Sequence, residues 1–240
     1  MQLLHAIRDL RGDVFRFDVF FELSLESKSG DRPNHSMEQM FSITQKRRRL
    51  PPELRRQEMI DAAAALLLKR GTLPLPSDDL RRAAGISKAL IYAYFPTQHD
   101  LLNTLLKREL QALVAMGICD AVRKMPLHEA ALLSALIYFD RIADVGPLAH
   151  IILRERYMTG HVSEENRHMR DRIVLALVRA GRRELMLTAK ENIAAFNLVI
   201  AIPEEAGRLA FVGDMERSGA RDLCARLVES SLAALAPAIK

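Results

Sequence analysis

The sequence predicts an all-α fold, on three observations. Glycine is scarce, at 11 of 240 residues, while 49% of the chain is hydrophobic, enough at this length to bury a substantial core. Runs such as DAAAALLLK and SSLAALA consist of strong helix formers. From Pro51 onward, apolar residues recur at helical rather than strand spacing.

Residues 1–45 read differently. DVFRFDVFFELSLES alternates apolar and polar residues as a strand would, and SKSGDRPNHS has the composition of a flexible linker. A lone strand has no evident partner in a helical chain, so this segment is expected to be a poorly ordered or peripheral extension. Met37 and Met40 are candidate starts. The prolines at 51 and 52 suit a helix start, and Met59, Ala63, Leu66 and Leu67 then share an apolar face ending at Gly71. Ser77 is the expected N-cap of a short helix running to Ala84, with Asp78 and Asp79 in its first turn. After Gly85, Ser87 caps another short helix ending near Phe95–Pro96. Thr97 and Asp100 form a capping box that opens a longer helix, predicted to reach about Cys119. Further helices are predicted at 127–144, 147–158, 165–183, 189–212 and 217–236, with Pro203 kinking or dividing the fourth of these.

Charge is unevenly placed. Residues 46–110 carry 13 basic and 7 acidic side chains, against 5 and 7 in residues 1–45 and 17 and 16 in residues 111–240. A clustered basic segment is what a polyanion partner requires. The two cysteines, Cys119 and Cys224, lack Cys-x-x-Cys spacing and fit a reducing compartment. Arg8, Asp9, Arg11 and Asp13 stand where a signal peptide needs an apolar run. The longest charge-free apolar stretch, NIAAFNLVIAIP, is roughly half of what a bilayer demands. A cytoplasmic protein with no membrane partner is expected.

Two short helices joined by a glycine turn form a helix-turn-helix, whose second helix enters the DNA major groove. In GISKALIYAYF, a helical wheel puts Ile91 and Phe95 inward against Leu80 and Ala84. Ala89, Tyr92 and Ala93 lie on the other side, flanked by Lys88 and Leu90. Small residues allow close approach to base edges, Lys88 can donate to guanine or phosphate, and Leu90 can touch a thymine methyl. Tyr92 and Tyr94 carry hydroxyls suited to phosphates. A tyrosine pair in an ordinary amphipathic core is the competing reading of this helix alone.

Residues 55–110 resolve it by resemblance. RRQEMIDAAAALLLKRG, LRRAAGISKALIYAYF and the leucines that follow resemble the DNA-binding domain of the tetracycline-repressor (TetR) family. The shared pattern is Gly85-Ile86-Ser87, Ile91-Tyr92, Phe95 and Leu101. The resemblance implies an all-helical homodimer: a three-helix DNA-binding domain over residues 46–110 and a larger ligand-binding and dimerisation domain over 111–240. It also implies a double-stranded operator and a small-molecule effector, unidentified, that releases a repressor from DNA. DNA contacts are then expected from Ser77, Ser87, Lys88, Ala89, Leu90, Tyr92, Tyr94 and Gln98. Pro76, Arg81 and Gln98 depart from the family pattern of Thr, Ala and Lys; the departures are expected to shift the cap and one phosphate contact to Ser77, to weaken the contact at Gln98, and either to turn Arg81 outward toward the backbone or to space the two helices differently.

Other candidates lie outside that domain. Arg47, Arg48 and Arg49 precede it and could reach the minor groove or phosphates as an arm, or be a solvated tail. Tyr138, Phe139, His150, Arg154 and Tyr157 lie among aliphatics and are candidate effector contacts. Ile193, Phe196, Asn197 and Ile200, with Leu223, Leu227 and Ser231, form two faces expected at a dimer interface. His161, Glu164, Glu165 and His168 have ligand spacing on a helix but read as a solvated segment, so no metal is assigned. No cofactor is implied, and no nucleophile elbow, phosphate loop or paired-carboxylate motif supports an enzyme. The alternative function is a DNA-binding regulator answering to a protein partner without a small-molecule ligand.

Overall fold

The computed structural model describes residues 51–236, which form ten α-helices, one 3₁₀ turn and no strand. The strand-like segment of residues 1–45 and the arginine run at 47–49 lie outside the described residues. The helices are α1 (Pro52–Arg70), α2 (Ser77–Ala84), α3 (Lys88–Tyr94), α4 (Gln98–Ala115), α5 (Ile118–Lys124), α6 (Leu127–Val145), α7 (Leu148–Arg154), α8 (Glu164–Glu184), α9 (Ala189–Val212) and α10 (Arg217–Leu235). A 3₁₀ turn, Arg156–Met158, follows α7.

The first four helices close around one apolar cluster. Met59, Ala63 and Leu67 of α1 are buried with Leu80 of α2, Ile91 and Phe95 at α3, and Leu101, Leu102, Leu105 and Leu106 of α4. The spacings 59-63-67 and 101-102-105-106 each place one helical stripe inward. That cluster extends through Leu110 and Leu113 to Leu148 and Ile152 of α7. The domain boundary expected at residue 110 therefore falls inside α4, which runs without a break to Ala115. A second cluster joins Phe139 of α6, Ala206 of α9 and Cys224, Val228 and Leu232 of α10. Gly207 is needed here: a Cβ on it would come within 2.8 Å of Ile142 Cβ and 3.1 Å of the Phe139 carbonyl, so α9 and α6 approach only because it has none.

Four local readings change. Ser77 is the first residue of α2 and not its cap; Pro76 holds the cap position and supplies no side-chain bond. The helix expected to reach Cys119 ends at Ala115, and a turn at Met116–Gly117 opens α5, which the sequence reading missed. The helix expected over 147–158 ends at Arg154 and tightens into the 3₁₀ turn. Pro203 does not divide its helix: it lies inside α9, which is 24 residues long. Both capping reciprocities, Thr97 with Asp100 and Thr188 with Glu191, are complete. Among the described residues no helix is long and apolar enough to cross a membrane.

Candidate DNA-reading face and effector cavity

The glycine turn between α2 and α3 sets the reading face. Gly85 takes φ 64°, a left-handed conformation costly for other residues, and its N–H donates back to the Arg82 carbonyl. The chain then reverses within Gly85-Ile86-Ser87, and Ser87 Oγ accepts the Leu90 N–H at 3.3 Å to start α3. Ile91 and Phe95 anchor that helix inward, at 5% and 2% exposure. Lys88, Ala89, Tyr92 and Ala93 are exposed on the outer side, as the helical wheel requires. Leu90 and Tyr94 are half-buried and pack against the core.

Polar contacts tie this face to its neighbours. The hydroxyls of Ser77 and Tyr92 lie 3.2 Å apart, tying the start of α2 to the middle of α3. Lys88 Nζ stands 5.9 Å from the Tyr92 ring, a cation–π contact. Gln98 is committed elsewhere: its Nε2 donates to the Leu75 carbonyl at 2.7 Å and its Oε1 accepts the Leu75 N–H at 2.8 Å. It therefore fastens the α1–α2 connection to the first turn of α4. Arg81 is exposed, 4.0 Å from Asp78, in the outward position expected.

Helix α7 stands between this domain and a cavity of about 160 Å³ lined by residues of α4 to α10. Leu148 and Ile152 of α7 belong to the core shared with α1 and α4, while His150 and Arg154 line the cavity. There they meet Glu204 of α9, 11% exposed: His150 Nδ1 is 2.9 Å from Oε1, and Arg154 Nη2 is 4.0 Å from Oε2. Tyr138 Oη donates to the same carboxylate at 3.1 Å. Burial, and then the Glu204 charge, holds the Tyr138 hydroxyl well above its ordinary pKa, so it remains a donor. The remaining wall is almost wholly aliphatic and aromatic.

Of the five candidate effector contacts, Tyr138, His150 and Arg154 line the cavity. Phe139 does not; it is fully buried in the α6–α9–α10 core. Tyr157 stacks instead on His99 of α4 at 4.4 Å, and His99 stacks on His161 at 3.9 Å. Glu204 and Ser134, which also line the cavity, were not singled out from sequence. The mark of Glu204 was present, as a charge closing the longest apolar stretch of the chain. Phe196 and Ile200, expected at a dimer face, point to the cavity, whereas Leu223 and Leu227 are exposed. Ile193, Asn197 and Ser231 are half-buried, and Ser231 Oγ donates to the Leu227 carbonyl at 2.7 Å. His168 lies 3.8 Å from Glu164, and no cluster of three metal-ligating side chains occurs among the described residues.

Residues 59–105 match the family described as bacterial regulatory proteins, tetR family. The chain is 36% identical over 81 residues to the uncharacterized HTH-type transcriptional regulator YwcC of Bacillus subtilis, covering 31% of this chain and 36% of that protein. It is 29% identical over 112 residues to the HTH-type transcriptional activator FasR of Mycolicibacterium smegmatis, covering 46% of this chain and 51% of that one. The chain thus spans only a third to a half of the length of these relatives. A TetR-like transcriptional regulator from Rhodococcus shares its fold with a TM-score of 0.58 at 21% identity, over 77% of this chain and 99% of that one. The regulator FadR of Bacillus subtilis, in complex with stearoyl-CoA, does so with a TM-score of 0.54 at 20% identity, over 77% and 99%. The family match falls on the helices whose geometry forms the reading face, so residues 59–105 are similar to the DNA-binding segment of the tetR family of bacterial regulatory proteins.

Proposed function

We propose that the protein is a transcriptional repressor that binds a DNA operator as a homodimer and is released from it by a small molecule. The observation that carries this reading is α7, whose one face packs with the first four helices while its other presents His150 and Arg154 to a mainly apolar cavity. An occupant of the cavity that displaces Glu204 or its partners moves α7, and α7 cannot move without shifting α1 and α4. That a regulator of similar fold, FadR of Bacillus subtilis, is found in complex with stearoyl-CoA supports a small-molecule ligand for this chain too. The residues proposed to meet DNA are the exposed cap Ser87 and, exposed on α3, Lys88, Ala89 and Tyr92, with Ser77 and Leu90 at the edges. Tyr94 and Gln98 are proposed to position that helix rather than touch DNA directly.

The test is a gel shift with DNA from the protein's own promoter region, followed by addition of compounds found by thermal shift. A retarded complex that dissociates with a stabilising compound supports the proposal. A complex insensitive to every stabilising compound favours control by a protein partner, and no complex at all removes the DNA-binding role.

A further inference from the structure

The charged groups on the cavity wall are already neutralised. Glu204 is met by Tyr138, His150 and Arg154. Arg170, which also lines the cavity, is paired with Asp171 at 2.7 Å. Bringing an ionic ligand out of water is costly unless an opposite charge awaits it, and here each such charge is engaged. The wall amide is engaged as well, since Asn192 Nδ2 donates to the Val178 carbonyl.

Ser134 is the neutral hydroxyl of this wall left without a partner; His150 Nδ1, although 2.9 Å from Glu204, makes no hydrogen bond to it. Ser134 lies on α6 one turn before Tyr138, is 3% exposed, lines the cavity, and its Oγ makes no hydrogen bond. A buried hydroxyl without a partner is destabilising, and a ligand group that bonds to it relieves that cost. The volume, about 160 Å³, is close to that of an apolar cavity that admits one benzene ring, roughly 150 Å³.

We infer that the effector is an uncharged, mainly hydrocarbon molecule carrying one hydroxyl or carbonyl group, which hydrogen-bonds to Ser134 Oγ; this rests on the ligand-responsive reading above. The polar cluster around Glu204 is then the wall such a molecule presses against, and not its counter-ion.

Titration calorimetry of the full chain with 1-octanol, octanoate and octylammonium separates the charge classes at constant chain length. Octanol should bind at least about tenfold more tightly than either ion, consistent with a desolvation cost unmatched by a free counter-charge. Ser134→Ala should weaken octanol about five- to tenfold, the range of one net hydrogen bond, and change toluene, which has no polar group, by less than about twofold. Tighter binding of either ion overturns the inference, as does a Ser134→Ala variant that loses octanol and toluene equally or neither. Should an ion win and also release operator DNA, ligand control stands and only the uncharged assignment fails. Should none of the four probes bind or alter the DNA complex, both fall.

Discussion

Lys88 opens α3 with its ammonium over the Tyr92 ring, and both side chains are exposed where a major groove would lie. Lys88→Ala and Tyr92→Phe should each weaken operator binding by about 1–3 kcal/mol if the contact reads a base, with unaltered helicity by circular dichroism. Tyr92→Phe also removes the link to the Ser77 hydroxyl; a Ser77→Ala variant that keeps full affinity would show that the loss in Tyr92→Phe does not run through that link. At the opposite extreme of accessibility, burial pushes the Cys224 thiol up to about 11. The thiolate is the reactive form, so Cys224 should stay unalkylated by iodoacetamide at pH 8 while the protein is folded, as peptide mapping would show. The reading face was legible because its signal is local: spacing within one short helix fixes which side chains face out. The cavity was legible only in part. Tyr138 and His150 converge on Glu204 from two other helices, and nothing in the sequence near Glu204 names its partners.

The helices were largely readable because each carries its own signals: Thr97 with Asp100, Thr188 with Glu191, and Gly85 at the turn. The α4–α5 break was not, because Met116–Gly117 interrupts an apolar pattern that itself continues through Ile118. Also hidden was the ion pair joining α4 to α6. Glu109, 2% exposed, accepts from Arg141 at 2.8 and 2.6 Å and from Arg108 at 3.2 Å. Arg141→Leu should destabilise the fold by about 3 kcal/mol in urea unfolding, since it strands a buried carboxylate with a single remaining partner. The Thr188–Glu191 capping box makes a second, pH-dependent contribution. Bonds from the Thr188 hydroxyl and N–H hold Glu191 below its ordinary pKa of 4.5, so its stabilisation is complete above that value and is lost as the pH falls through the lowered one. The difference in thermal midpoint between wild type and Glu191→Gln should therefore be constant near neutrality and shrink toward zero below pH 4.5.

At the scale of the whole molecule, positive charge concentrated in residues 46–110 should make operator binding fall steeply with salt. Deleting residues 1–49 should flatten that slope by about 0.9 for each phosphate the arginine run touches, and an unaltered slope would make the run a solvated tail. The last expectation concerns assembly. A helix-turn-helix reads successive major grooves when two copies stand about 34–36 Å apart, so one chain presents only half of a reading surface. The surface proposed to pair the copies lies on α9 and α10, which pack against each other. Leu198 on α9 is 65% exposed, with Ala194 and Ala201 exposed one turn either side of it. On α10, Leu223 and Leu227 are 38% and 46% exposed, followed on the same side by Ser230 and Ala234. Leucines exposed on two neighbouring helices, edged by small residues that permit close approach, suit a symmetric four-helix contact. Phe196 faces the cavity instead, so Phe196→Asp would disturb the effector site and would not test assembly. Leu198→Asp and Leu227→Asp alter exposed positions, and the lone folded chain should tolerate both. In a dimer each would bury an unpaired carboxylate, which is strongly unfavourable. Both variants should sediment as monomers with native helicity and lose tight operator binding; dimers that persist in both would place the interface on another face.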